Sequence, residues 1–336
     1  MKVLFQAYNT CCQNASGGVQ VRIKKIRDLL IDRGCQVDYY SPFESKVENY
    51  DVLHIFKLTI ECLDLILCAK SLGVKVILSS IVGLDGGLKL DIYRLLEKLP
   101  FNTYYHNFFE SIKLCDHIIV ETNREKKFLM KHYRVDEKRI SVIPNGVDLR
   151  PVAKPEIFKY IGGVKKYILQ VGRFDSNKNQ INVIKALKHT DIPVVFIGGA
   201  PNSGEQHYYN ICRNEAKNSS NFFFLGWQAS NSELLNSAYQ YAQALILPSY
   251  FETFGLVALE AAEKNIMLCM SNTLPILEYN VFDPSLCFSP NSLDEIKTAV
   301  TKAMKMDKFD NSYNKLIVKT FSWKRIIDEY LMIYEN

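Results

Sequence analysis

The chain has 336 residues, 48% hydrophobic and 23% charged, and its 41 Lys+Arg against 36 Asp+Glu give a formal charge of +5. That is ordinary globular composition, which excludes a disordered or fibrous chain, and the length exceeds what one hydrophobic core usually fills, so two domains are expected. Neither half carries the dense basic stripe of a duplex binder, which argues against nucleic acid as a partner, and no apolar run approaches the ~20 residues of a spanning helix.

The opening Met1-Lys2-Val3-Leu4-Phe5-Gln6-Ala7-Tyr8 is too short and too polar at its end for a signal peptide. The nine cysteines are odd in number and show no C-x-x-C spacing, so neither a disulfide framework nor a zinc site is expected. The sequence therefore reads as cytoplasmic, or peripheral on the inner face of a membrane.

From Val3 onward, strand-like runs alternate with amphipathic segments. Val3-Leu4-Phe5 leads to a helix over about 19–33, with Ile23, Ile26, Leu29 and Leu30 on one face and Gly34 at its end. Short strands follow at 37–40, 52–56, 74–78, 118–120 and 141–143, most of them separated by helical stretches. Runs such as Val74-Lys75-Val76-Ile77-Leu78 suit parallel strands covered on both faces. Pro144-Asn145-Gly146 breaks the series. A second series has strands at 167–171, 194–197, 222–225, 244–247 and 266–270 and helices at about 179–188, 205–217 and 256–264, and a last helix runs from Trp323 to Tyr334. The expected fold class is α/β: two Rossmann-like doubly wound domains, 1–150 and 151–320, facing a central cleft, with 321–336 as a helix crossing back to the first domain.

Three segments could carry chemistry. Gly17-Gly18 precedes the first long helix; it could let backbone amides approach a phosphate at a helix N-terminus, or simply give a flexible helix entry. Val171-Gly172-Arg173-Phe174-Asp175-Ser176-Asn177-Lys178 follows the first strand of the second domain. A short loop there could fold the Arg173 fork and the Lys178 point charge onto one diphosphate; the plainer reading is a solvated loop with two surface cations. Glu252-Thr253-Phe254-Gly255-Leu256 sits between a buried strand and a helix, and Glu260 lies farther along that helix. Amides near Gly255 could bind phosphate oxygens, and Glu260 could accept both hydroxyls of a ribose. Glu252 could instead complement the helix dipole, and Glu260 could pair with Lys264 at i,i+4.

Glu252 and Glu260 with Phe254-Gly255 between them resemble the signature of retaining GT-B glycosyltransferases of family 4 (glycosyl transferases group 1). Gly17-Gly18, Pro144-Asn145-Gly146-Val147-Asp148, Gly172-Arg173 with Lys178, and Phe321-Ser322-Trp323 stand in the family's order, so the resemblance covers nearly the whole chain. It implies a nucleotide-sugar donor, UDP- or GDP-linked, held mainly by the second domain. Arg173 and Lys178, with Gly172 and amides near Gly17, Gly18, Thr253, Phe254, Gly255 and Leu256, would hold the diphosphate. Glu260 would hold the ribose, Glu252 the donor sugar, and the base would lie near Gly226-Trp227-Gln228, read through backbone groups. Arg173, Lys178 and Glu252 are the expected catalytic residues, with no cofactor beyond the donor. The acceptor is expected to be a glycan or lipid-linked hydroxyl in cell-surface polysaccharide or glycolipid synthesis.

Many members carry a histidine just after the fourth strand of the first domain; here that stretch is Leu78-Ser79-Ser80-Ile81-Val82-Gly83. His54 is read as ending a neighbouring strand, where it could approach the cleft but reads first as an ordinary strand-end histidine. The aromatic run 101–109, with Lys89, Arg94, Lys98 and Lys113 nearby, reads first as a packed helix face and second as a membrane or lipid-acceptor contact. No two aspartates stand two positions apart, so no Asp-x-Asp pair is present to carry a divalent ion, and metal-independent transfer is expected. Two rivals stay open: a GT-B sugar-nucleotide 2-epimerase and a non-catalytic GT-B partner subunit.

Overall fold

The structure, a computed structural model, describes residues 1–8, 11, 18–59, 61–80, 91, 104–147, 150–307 and 312–336. Gly17, Asp148, Ile81 to Gly83, Lys89, Arg94, Lys98 and residues 101–103 lie outside the described residues. The chain divides into two compact units, Met1–Asn145 with Trp323–Asn336, and Gly146–Ser322. The first division thus falls after Asn145 rather than after residue 150, and the returning segment starts at Trp323 rather than 321. Gly146 and Val147 go with the second unit because Val147 bridges Ser322 and its N–H donates to Phe321 O at 2.8 Å.

In the first unit the order is β1 (Lys2–Ala7), α1 (Gly18–Asp32), β2 (Gln36–Tyr39), β3 (Val52–Phe56), α2 (Cys62–Ser71), β4 (Lys75–Ser79), α3 (Tyr104–Leu114), β5 (His117–Val120), α4 (Asn123–Phe128) and β6 (Ile140–Val142). The strands form a parallel sheet ordered β2-β1-β3-β4-β5-β6. Every residue of β3 is buried, as a strand covered on both faces requires. Thr122 caps α4 by accepting from Glu125 N at 3.2 Å.

The second unit runs β7 (Ile168–Val171), α5 (Gln180–Leu187), β8 (Val194–Ile197), α6 (Ser203–Glu215), β9 (Phe222–Phe224), α7 (Glu233–Tyr241), β10 (Ala244–Leu247), α8 (Leu256–Glu263), β11 (Met267–Ser271), β12 (Cys287–Phe288), α9 (Leu293–Lys305) and α10 (Ser312–Thr320). Its parallel sheet is ordered β12-β11-β10-β7-β8-β9. The chain winds outward through β8 to β9, returns to the other side of β7 at β10, and continues outward to β12. The switch of direction between β7 and β10 opens a crevice at their carboxyl ends, where sheets of this kind take ligands. The two-residue β12 and the helices α7, α9 and α10 complete the second series beyond the elements the sequence showed.

The last helix, α11 (Trp323–Glu335), packs in the first unit: Trp323, Ile326, Ile327, Tyr330 and Tyr334 join Val3, Phe5, Ile23 and Ile26 in one core. Polar bonds fix its rotation. The Arg22 guanidinium bonds Glu121 and donates to Tyr330 OH at 2.8 Å, while His54 lies 2.5 Å from Tyr334 OH and 2.8 Å from Ser79 Oγ. Among the described residues no helix is long and apolar enough to cross a membrane.

Candidate functional site

The site is built where β7 and β10 end. Gly172 follows β7, and its carbonyl passes so close to the end of β8 that a Cβ on Gly198 would stand 1.8 Å from Gly172 O, which explains a glycine there. The loop after β7 is tied down through its own side chains. Gln170 donates to Lys178 O at 2.9 Å and Gln180 to Arg173 O at 2.7 Å, so buried amides fasten the backbone of both cationic residues. Asn177 Nδ2 donates to Phe251 O at 2.8 Å, its Oδ1 accepts from Phe251 N at 2.9 Å, and its carbonyl accepts from Tyr250 N. Asn179, left-handed at φ 55°, donates to Pro248 O at 3.1 Å. The β7 and β10 loops are therefore joined as one body.

The charged side chains follow from that joining. Lys178 Nζ bonds Glu252 Oε1, which also accepts from Ser249 Oγ at 2.7 Å. Glu252 thus pairs with a lysine instead of standing free over the helix N-terminus. Arg173 Nη1 donates to Glu205 Oε1 at 3.0 Å. A guanidinium has five N–H donors, so this bond orients the fork without exhausting it. Most of the Arg173 side chain faces solvent, at 61% exposure.

Helix α8 starts on Gly255, whose φ of 95° is left-handed and open chiefly to glycine, and which offers no side-chain cap. First-turn amides of such a helix attract anions. Phe254 is 1% exposed and packs edge-on against Phe321, so its side chain belongs to the core and only its backbone is available to a ligand. Leu256 is half-buried beside that core, and Thr253 is partly exposed in the loop.

Glu260 does not pair with Lys264. Its Oε1 accepts from Arg150 Nη2 at 2.5 Å and its Oε2 from Tyr239 OH at 2.6 Å. Lys264 instead donates to Arg150 O at 2.7 Å and Pro151 O at 3.1 Å. Burial raises the Tyr239 phenol well above its ordinary value, with Glu260 adding to the rise, so it stays a donor. Burial opposes the Arg150 charge, but Glu260, Tyr239 and Glu263 outweigh it and the guanidinium titrates above its ordinary value.

Past β9, Gly226 is left-handed at φ 70° and its carbonyl accepts from Gly198 N at 2.9 Å, while Trp227 is 53% exposed. Gly18 is the first residue of α1, in the other unit. The structure therefore brings Gly172, Arg173, Lys178, Glu252, Thr253 and Gly255 to the ends of β7 and β10, with Gly226 and Trp227 following β9, the second strand from β7. Sequence reasoning missed Ser249, Glu205, Arg150 and Tyr239 as partners. Arg150 and Glu260 stand 110 positions apart, and no local pattern marks such a pair.

Other features lie elsewhere. A pocket of about 640 Å³ in the first unit, lined by Lys75, His117, Ser141 and Glu329 among others, takes in the first residues of β4 and β5, at the end of β4 opposite Ser79. Phe109 is buried and Phe108 half-buried against Tyr133, so this part of the aromatic run is a packed helix face. His54 is not a strand-end residue: it stands in the middle of β3 and is wholly buried, because that strand is covered on both faces. Among the described residues no group of three or more His, Cys, Asp or Glu is gathered as a metal ion would need.

Comparison with known proteins agrees with this arrangement. The family described as Glycosyl transferases group 1 matches residues 156–320, and Glycosyltransferase Family 4 matches residues 44–150. The chain is similar to the UDP-Gal:alpha-D-GlcNAc-diphosphoundecaprenol alpha-1,3-galactosyltransferase of Escherichia coli, 26% identical over 316 residues that cover 86% of this chain and 76% of that protein. In fold it is similar to sucrose-phosphate synthase from Thermosynechococcus elongatus, with a TM-score of 0.76 at 16% identity over 99% of this chain and 98% of that one. It is likewise similar to Anabaena HepE in complex with UDP and glucose, with a TM-score of 0.72 at 15% identity over 100% and 99%. With both family segments matched and the fold shared end to end, the chain belongs to the family 4 GT-B glycosyltransferases.

Proposed function

We propose that the chain is a retaining glycosyltransferase that moves a hexose from a uridine diphosphate sugar to a hydroxyl of a glycan or lipid-linked acceptor, without a divalent metal, in making a cell-surface polysaccharide or glycolipid. The observation that carries this reading is the meeting of Lys178 with Glu252 at the ends of β7 and β10, with Arg173 on the same short loop. The uridine base and the lipid-linked acceptor draw support from the printed names of the similar proteins, one defined by UDP-Gal and a diphosphoundecaprenol acceptor and one bound to UDP.

The difficult event is departure of the nucleoside diphosphate. The bond from the sugar's anomeric carbon to the phosphate oxygen breaks, the sugar becomes oxocarbenium-like, and negative charge gathers on the leaving phosphate. Arg173, Lys178 and the first-turn amides of α8 answer that charge, and losing one preorganised donor of this sort costs about 3–4 kcal/mol. The two cations take the place that a divalent ion holds in enzymes with an Asp-x-Asp pair. When the diphosphate engages Lys178, Glu252 is released to hold the sugar's hydroxyls. The acceptor oxygen attacks on the face the phosphate leaves, and its proton passes to the departing phosphate oxygen, so the anomeric configuration is kept without a covalent intermediate.

The test is incubation of the full chain with UDP-galactose or UDP-glucose in EDTA, following UDP release and, by NMR, the anomeric form of the released or transferred sugar. Slow UDP release with retained configuration and no loss in EDTA is expected. Isomerisation of the sugar nucleotide without acceptor would identify an epimerase, and absence of both turnover and UDP binding would identify a non-catalytic partner.

A further inference from the structure

Glu260 is held from both sides by side chains of its own unit. Arg150 occupies one lone pair of Oε1 and Tyr239 one of Oε2. The same two residues also brace each other, because the Arg150 guanidinium lies over the Tyr239 ring at 5.2 Å to its centroid. Arg150 is fixed in turn by Ser230 O, which accepts from Nη1 at 2.9 Å. Tyr239 is fully buried, whereas the Glu260 side chain keeps 29% of its exposure. A carboxylate has about four acceptor positions, so the clamp consumes one on each oxygen and leaves one on each for a ligand. Two acceptors at that fixed spacing match a vicinal diol.

We propose that Arg150 and Tyr239 are positioning residues that set the Glu260 carboxylate as a two-point acceptor for the 2′- and 3′-hydroxyls of the donor's ribose, and so make the chain discriminate against 2′-deoxyribonucleotides. This rests on the reading of Glu260 as the ribose acceptor. A glutamate side chain left free must be ordered when ligand binds, and ordering a rotamer-rich side chain opposes binding. A clamped one has already been ordered on folding. The clamp also fixes which lone pairs are free, so a donor lacking the 2′-hydroxyl leaves one acceptor unmatched.

The experiment is calorimetric titration of UDP and of 2′-deoxy-UDP into the full chain and its variants Tyr239→Phe, Arg150→Lys and Glu260→Gln. The ratio of the two dissociation constants is the readout, because partial unfolding weakens both ligands equally and leaves the ratio unchanged. The wild type is expected to prefer UDP by about tenfold, equivalent to ~1.4 kcal/mol. Glu260→Gln is expected to bring the ratio to near unity, and Tyr239→Phe and Arg150→Lys each to lower it by at least about threefold, mainly by weakening UDP. A wild-type ratio in either Tyr239→Phe or Arg150→Lys, with Glu260→Gln collapsed, overturns the positioning role and leaves the ribose reading intact. A wild-type ratio in Glu260→Gln overturns the ribose reading itself, and the positioning role with it.

Discussion

Lys178 and Glu252 stand 74 positions apart in the chain and share an ion pair at the carboxyl ends of β7 and β10. Both side chains are largely buried, at 22% and 13% exposure, and Ser249 also donates to the same carboxylate oxygen. Each charge compensates the other; on the proposed function, a diphosphate that took Lys178 would free Glu252 for the donor sugar.

Loss of the cations should register in turnover. Arg173→Ala is expected to lower kcat at least about tenfold without shifting the unfolding midpoint, since its side chain is mostly exposed. Steady-state kinetics beside thermal unfolding check this. Lys178→Ala should lower kcat by a similar factor and should also destabilise, because it leaves Glu252 partly buried without its cation. Wild-type kcat in Arg173→Ala would remove that residue from the leaving-group role.

Glu205 should act through Arg173. Asn202 caps α6 by accepting from the Glu205 main-chain N–H at 2.8 Å, so Glu205→Gln leaves the cap in place while weakening the charged bond to the fork. A rise of about threefold or more in donor KM, with stability nearly unchanged, is expected from a less ordered Arg173. An unchanged KM would mean that the fork is oriented by other means.

Stability should fall in mild acid through His54. Burial, and secondarily Arg22, holds this imidazole well below its ordinary value of 6.5, so the native chain refuses a proton that the unfolded chain accepts. The contribution is complete above pH 6.5 and is lost as pH falls from there toward the native value, by up to about 1.4 kcal/mol per pH unit. His117, lowered by burial, Lys75 and Arg139, adds a smaller effect of the same sign. Urea midpoints measured between pH 7 and 5 should slope less in His54→Asn than in the wild type.

The anchor of the last helix should be measurable on its own. Tyr330→Phe removes the acceptor of Arg22 Nη2 inside a buried network and is expected to cost about 1–3 kcal/mol, read as a lower urea midpoint at constant slope. An unchanged midpoint would show that the Glu121 bond alone satisfies Arg22.

Much of the architecture was legible because parallel strands buried on both faces are written as short apolar runs. Val52–Phe56, Val194–Ile197 and Ala244–Leu247 have the same limits in sequence and structure. The two-residue β12 was not legible, since Cys287-Phe288 is too short to show a period. At the site, Arg173, Lys178 and Glu252 could be picked out because each lies in the connection between a strand and the helix that follows it. Their partners could not: Glu205 is in a helix 32 positions from Arg173, and Tyr239 looks like any core tyrosine until the fold sets its hydroxyl on Glu260. Lys264 shows the opposite failure. Its i,i+4 spacing to Glu260 suggested a helix-surface pair, but two carbonyls of the 150–151 segment lie within its reach and take its ammonium instead.

The central claim, that the second unit grips a nucleoside diphosphate through the β7 and β10 loops, is tested most directly by titrating UDP into the wild-type chain and into an Arg173→Ala, Lys178→Ala double variant while following thermal unfolding. The account predicts that UDP at about 100 times its dissociation constant stabilises the wild type by ~2.7 kcal/mol and leaves the double variant almost unmoved at the same concentration. Equal stabilisation of both proteins would contradict it.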